Sequence, residues 1–449
     1  MNQLFKNKIS KLNLIISVLL IRIMIDIAYE RIIYPLYEYA GFSNNRSFET
    51  EIISWIVFFA SILFICGVNS IGEDRASATV FMFLYFMSFL PFTTCLKYGM
   101  FNNNYVIFAI VFWAVMFMAE MLNIYTKVKP FPILVFDNKI ANQYIVFIIS
   151  VFSCFFTILL CYKYTGLRIH LNLLTVYDLR EEATGYAMSA SMEYIFGWTR
   201  AINPFMLVYC YLNRKRIYAF IFAICSLLNF GFDGSKTALF FPVLFIIIAF
   251  LCQQKKMNLQ RLIVHGLLLV VILCLVEYGV SGTNYLCSYF IRRTMMVENL
   301  NNAYYFDFFT NNMPDFFRAS ILRIFGFHTP YLGIAKTIGL LYQGRDTNAN
   351  CGLIADAMTN FGILGVFAYP FLIFVLMRIL DRITSGKDCI LKAIVALYIA
   401  LHLINSFLIT SLISHGIVFM LLLVYLSQPS EDKKVLEFIS FQGKQNVTA

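Results

Sequence analysis

Apolar residues fill this chain in blocks of about 18 to 20, parted by short polar breaks that hold most of the Lys and Arg. A helix of that length spans a bilayer's hydrocarbon core. With no water there to satisfy the backbone, only helices or closed barrels can cross. The blocks are continuously apolar rather than alternating, which predicts helices and not a barrel. They lie near 12–30, 52–70, 78–96, 105–125, 143–162, 191–212, 217–232, 238–252, 262–280, 354–380, 390–407 and 410–427. The fold class expected is therefore an all-α polytopic membrane protein with about twelve transmembrane helices. Two long gaps break the pattern, a minor one at 163–190 and a polar insertion at 281–352. The chain thus divides into nine spans within 1–280, the large insertion 281–352, three spans within 353–427 and a tail at 428–449.

Composition agrees: 60% of residues are hydrophobic and 13% charged, with a mean hydropathy of +0.73, which excludes an ordinary soluble domain. The formal net charge of +10 is spread over many short loops. It fits basic cytoplasmic loops and gives no reason to expect nucleic acid. Of the 11 cysteines, Cys66, Cys154, Cys161, Cys210, Cys225, Cys252 and Cys274 sit inside apolar blocks as small core residues. No Cys or His group has metal-ligand spacing, so no metal is expected. Cys287 and Cys351 bracket the insertion and are candidates for a disulfide. Lys6, Lys8 and Lys11 precede the first block, but no small-residue cleavage site follows and Arg22 and Asp26 interrupt it. This reads as an uncleaved first helix.

Loop charge sets orientation. With the N-terminus inside, Lys127, Lys129, Lys139, Arg214, Lys215, Arg216, Lys255, Lys256, Arg261, Arg382, Lys387, Lys392, Lys433 and Lys434 fall on inner segments. Short outer loops hold only Arg31, Arg46, Lys97 and Lys236. Both termini are expected in the cytoplasm and the insertion outside. Glu193, Arg200, Asp233, Lys236, Glu277, Asp356, His402 and His415 then cluster toward the outer half. A charge at bilayer depth costs about 2.5 kcal/mol or more, so such residues face a bundle interior or a wet cavity. A polar cavity covered by 281–352 is the expectation.

Arg292-Arg293 is an adjacent pair of planar forks suited to a diphosphate, or to lipid headgroups. Arg323, Arg318, Arg200 and Lys236 are candidates to assist. His328, in Phe327-His328-Thr329-Pro330, has the chemistry of a general base; Asp356 and Glu193 are alternatives. Asn348 and Asn350, beside Arg345-Asp346, suit sugar hydroxyls, or cap the following helix. Asp356 and Asn360, four apart, share a helix face. Arg22 and Asp26 are also four apart and read as a structural pair. No phosphate-cradling GxxxxGK[ST] occurs, so ATP hydrolysis is not indicated. The chain also lacks HExxH and GxSxG, and no outer loop holds a DxD pair.

Gly-Ser-Lys-Thr-Ala at 234–238, Arg-Arg-Thr at 292–294, Tyr-Tyr-Phe-Asp-Phe-Phe at 304–309 and Asn-Ala-Asn-Cys-Gly-Leu-Ile-Ala-Asp-Ala-Met-Thr-Asn-Phe-Gly at 348–362 follow one another in the second half. In order and spacing they resemble the Wzy-type O-antigen (oligosaccharide repeat unit) polymerases of Gram-negative bacteria. The first half resembles them by hydropathy alone. The resemblance implies a GT-C-like lipid-sugar transferase in the inner membrane, metal-independent, without cofactor, and with a periplasmic active site. It would move a growing glycan from undecaprenyl diphosphate onto a newly flipped lipid-linked repeat unit. Partners implied are those lipid-linked glycans, a chain-length regulator (Wzz-type) and a flippase (Wzx-type).

In that reaction Arg292 and Arg293 would stabilise the leaving diphosphate, and His328 would take the acceptor proton. Tyr304, Tyr305, Phe306, Phe308 and Phe309 would form an interfacial platform. The rival readings are an O-antigen ligase, which shares the chemistry, and a lipid-linked oligosaccharide flippase or exporter, which does not. The long insertion and the Asn-x-Asn-x-Gly run favour the polymerase.

Overall fold

In the computed structural model the residues described are 11–72, 75–129, 139–170, 172, 176–255 and 259–427. Among them every regular element is a helix. Eight helices are long and apolar enough to cross a membrane: Lys11–Ala40, Phe48–Ser70, Ala76–Lys97, Asn103–Tyr125, Ala141–Thr165, Arg216–Asp233, Leu259–Ser281 and Leu353–Thr384. The other four expected blocks fall on the Ala190–Leu212 helix and on shorter apolar helices. Ala190–Leu212 contains Glu193 and Arg200. The last block is split into Leu408–Ile413 and Ile417–Leu426. Gly416 breaks it with φ 72°, and a Cβ there would sit 2.9 Å from that of Ala201. Lys6, Lys8 and the 428–449 tail lie outside the described residues.

The chain packs as two compact units. The first comprises Met1–Lys127, Met257–Arg378 and Ile399–Thr410; the second comprises Val128–Lys256, Ile379–Tyr398 and Ser411–Ala449. The whole 281–352 insertion belongs to the first.

In the first unit the Arg22–Asp26 pair is the centre of a buried polar network. Arg22 is 0% exposed and pairs with Asp26 one turn along. It also donates to Thr94 Oγ1 at 2.6 Å, Ser54 Oγ at 2.8 Å and the Thr93 carbonyl at 2.9 Å. Asp26 in turn accepts from Lys97 Nζ at 3.0 Å. An unpaired charge at membrane depth is costly, so these partners are what permit the first helix to hold one. The network fastens three helices to one another, as the structural reading expects.

In the second unit Lys139–Thr165, Ala190–Leu212, Arg216–Asp233 and Lys236–Lys255 pack on one another. Leu160, Cys161, Phe196, Leu228 and Phe232 form one of its cores. Asn203 accepts from Ser153 Oγ at 2.6 Å and donates to Thr157 Oγ1 at 3.0 Å. Such interhelical amide and hydroxyl bonds hold apolar helices where hydrophobic attraction to lipid gives no preference.

The insertion is far more helical than its lack of apolar runs suggests. Cys287–Met296 is a π-helical stretch running straight into the Val297–Asn311 helix, and Ile334–Gln343 is a further helix. Glu298, Asn299, Asn301 and Asn302 are buried polar residues of the first of these helices, and their burial takes the place of an apolar run there.

Candidate functional site

Glu277 starts the segment. Its carboxylate accepts from Tyr285 N at 3.0 Å and Leu286 N at 2.7 Å, satisfying amides that have no partner within the new helix. The π-helical stretch that follows has the wide turn often found at functional positions. It carries both arginines. Arg292 is half-buried, with its guanidinium 4.2 Å from the centre of the Tyr37 ring. Its Nε and one terminal nitrogen donate to Ser288 Oγ at 3.2 and 3.1 Å. Stacking and a single hydroxyl fix the plane of the fork. Arg293 is exposed.

The Val297–Asn311 helix then presents a buried polar stripe of Glu298, Asn299, Asn301 and Asn302. Asn301 donates to the Asn350 carbonyl at 3.1 Å, and Tyr305 Oη to the Ala349 carbonyl at 3.0 Å. Asn302 Oδ1 accepts from Ala355 N at 2.9 Å. That bond caps the Leu353–Phe361 helix from outside, because its own N-cap, Gly352, has no side chain. Neither Asn348 nor Asn350 caps it, which corrects that alternative. Gly352 has a second reason to be glycine: a Cβ there would run into Glu298 Oε1 and lie 2.8 Å from Asn302 Oδ1. Glu298 Oε1 accepts from Ser88 Oγ at 3.1 Å and Asn302 Nδ2 at 2.7 Å, and Oε2 has no hydrogen-bond partner. Burial pushes this carboxyl up to about 7. Cys287 and Cys351 are both buried free thiols.

The aromatic run at 304–309 is core. Tyr305, Phe306, Phe308 and Phe309 are buried. Phe306 packs on Tyr105 and Phe108, and Phe308 and Phe309 on Tyr331. This replaces the expected interfacial platform. Tyr304 stacks on Tyr342 of the Ile334–Gln343 helix at 4.9 Å, and Tyr342 Oη donates to Asp307 at 2.6 Å.

After that helix the chain makes a strained turn. Phe316 and Phe317 have φ of 52° and 63°, a region that costs a bulky residue about 1–3 kcal/mol. The surroundings hold it there. Asn360 Oδ1 accepts from Phe317 N at 2.9 Å, while Arg318 donates to the Asp315 and Pro314 carbonyls at 2.8 and 2.9 Å. Asp315 N donates to the Thr359 carbonyl at 2.6 Å. Asn360 Nδ2 donates to Asp356 Oδ1 at 2.6 Å, so the two residues do share a face. Asp356 Oδ2 accepts from Leu408 N at 2.6 Å, tying down the start of the Leu408–Ile413 helix. Asp356 therefore uses both oxygens on structure.

Between these parts lies a cavity of about 250 Å³. Asp315, Ser320, Lys336, Asn348, Asp356, Thr359, Asn360 and Thr410 supply its polar lining. Asn348 and Lys336 are exposed, so the cavity reaches the surface at their edge. Hydroxyls, amides and carboxylates in a small pocket are the inventory that meets sugar hydroxyl groups.

Of the residues expected at the site, only Asn348 and Asp356 line this cavity. Arg292, Arg293, Arg323, His328, Arg345, Asp346 and Asn350 do not, although all belong to the same unit. His328 and Arg323 are exposed. Asp346 pairs with Lys336 at 3.0 Å, and Asn350 Nδ2 reaches Asn405 Oδ1 at 3.5 Å. Glu193, Arg200 and Lys236 belong to the second unit. There Arg200 pairs with Asp233 and lies 4.5 Å over the Phe196 ring. Glu193 is exposed in the first turn of its helix, where a carboxylate suits the dipole. His415 is half-buried, and its carbonyl accepts from Tyr398 Oη at 2.6 Å.

Asp315 and the Glu298–Asn302 stripe are not among the residues expected from the sequence. The stripe had a signal, since 298, 301 and 302 recur at helical spacing. Asp315 had only a local one, in Met313-Pro314-Asp315, a turn-forming run. Compared with protein-family models, curated proteins and solved structures, the chain has no match.

Proposed function

We propose that this protein is a membrane glycosyltransferase of the O-antigen polymerase type. It transfers a growing glycan from undecaprenyl diphosphate to the terminal sugar of a lipid-linked repeat unit at the periplasmic face of the inner membrane. The observation that supports the reading most is the hydroxyl- and carboxylate-lined cavity formed by the polar insertion together with residues 356–360 and 407–410 of an otherwise largely apolar chain. Further support comes from Arg292, which lies in the same insertion but outside the cavity lining and whose fork is stacked on Tyr37 and hydrogen-bonded to Ser288, an arrangement suited to a phosphate oxygen.

On this reading the chain has about twelve spans in a GT-C-like arrangement, and both termini are cytoplasmic. The donor arrives already activated by its diphosphate, so neither nucleotide nor metal enters the scheme. Lipid-linked glycans, a chain-length regulator and a flippase are the partners proposed.

Removing the gene tests this. The expected phenotype is lipopolysaccharide core bearing a single repeat unit, reversed to a full ladder by the intact gene. Bare core would indicate a ligase, and lipid-linked single units held at the cytoplasmic face would indicate a flippase; either result overturns the proposal.

A further inference from the structure

We propose that the cavity seats the acceptor sugar and that Asp315 takes the proton from its attacking hydroxyl; this rests on the glycosyl-transfer reading above. Asp315 is 1% exposed. Its Oδ2 accepts from Ala319 N at 2.7 Å, while Oδ1 has no hydrogen-bond partner. A buried carboxylate oxygen left without a donor is unfavourable unless something else supplies one. Asp315 lines the cavity, and a ligand hydroxyl there is the donor its chemistry asks for.

The second carboxylate in the wall, Asp356, has both oxygens occupied by Asn360 and Leu408 N. The wall's ammonium, Lys336, is paired with Asp346 at 3.0 Å. Asp315 is thus the carboxylate in the wall with an oxygen to give. The turn behind it is built to hold it. Two successive left-handed residues, Phe316 and Phe317, follow directly, and Asn360 and Arg318 clamp that turn. Strain that the surroundings sustain next to a cavity is the pattern found where a side chain must keep one position. His328, by contrast, is exposed and outside the lining.

In the step itself, the acceptor oxygen forms a bond to the anomeric carbon of the donor sugar. The bond from that carbon to the diphosphate oxygen breaks, and its electron pair leaves with the lipid diphosphate. The acceptor's proton passes to Asp315 Oδ1. Asn348, Ser320 and Thr410, also in the wall, would hold the neighbouring hydroxyls.

The test uses the full-length protein in detergent and the lipid-linked repeat unit extracted from a strain lacking this gene. D315N preserves the side chain's shape but cannot take a proton. Its polymer yield should fall on the order of 100-fold or more. Binding of the lipid-linked unit should stay within about threefold, since general-base loss acts on the transition state and not on ground-state binding. Retention of near wild-type yield by D315N, while the wild type polymerises, overturns the base and leaves the function standing.

Should D315N not fold, A319F carries the test. It fills the cavity, and its backbone N–H still serves Asp315. A folded A319F with wild-type yield and binding overturns the acceptor seat. No polymer from the wild-type protein would overturn the glycosyl-transfer reading itself, and this inference with it.

Discussion

Polymer formation is expected to fall on the order of 100-fold when Arg292 is replaced by Ala. In the proposed reaction the leaving lipid diphosphate would gain negative charge as its bond to the sugar breaks, and a preorganised donor there is worth most because it needs no reorientation. Arg292 has that preorganisation. The Tyr37 ring lies 4.2 Å below its guanidinium, and Ser288 holds Nε and one terminal nitrogen. The remaining N–H groups are left to meet phosphate oxygens. R292K keeps the charge but loses both the fork and the stack, so it should recover only part of the activity. R293A, at an exposed position, should lose about tenfold at most, as expected of a screened charge. The readouts are the repeat-unit ladder on gels and polymer yield from purified protein, with protein level as the control. An undiminished ladder from R292A would remove the diphosphate role.

The second large effect is on stability and has a defined pH window. Burial raises the Glu298 carboxyl from an ordinary 4.5 to about 7. The folded state therefore holds a proton that the unfolded state has released, between about pH 4.5 and 7. In that window stability drops as pH rises, and above it the drop is complete. The total is on the order of 3 kcal/mol. E298Q removes the titration while keeping an oxygen for Ser88 and Asn302. It should match the wild type near pH 5 and melt at a higher temperature at pH 8. Parallel melting curves for the two proteins across this range would show that Glu298 keeps its charge in the fold. Because Asn302, its partner, also caps the Leu353–Phe361 helix, the same proton bears on how firmly the 348–352 segment is held.

How much of this was legible in the sequence depended on the range of the interactions. The eight long apolar helices follow from apolar runs that are continuous rather than alternating, the pattern of a helix and not of a barrel. The Arg22–Asp26 pair follows from four-residue spacing. Its partners Ser54, Thr94 and Lys97 do not, because helix packing brings them there. The insertion has no long apolar run to signal a helix, yet much of it is helix. Asn301 and Asn302 are buried against backbone from residues about 50 positions away, the Asn350 carbonyl and the Ala355 amide. The capping alternative for Asn348 and Asn350 fails for the same reason: Asn302 supplies from another helix what either would have supplied locally. His328 stood out by residue type alone, whereas Asp315 acquires its meaning from an unpaired oxygen and a cavity, neither of which has a sequence signature.

If the chain joins lipid-linked glycans as proposed, the purified protein in detergent, given only undecaprenyl-diphosphate-linked repeat units and no nucleotide, should yield a ladder of lipid-linked products lengthening by one repeat unit, with one undecaprenyl diphosphate released per bond formed. Repeat units recovered unchanged, by a folded protein that restores the ladder in cells lacking the gene, would contradict it.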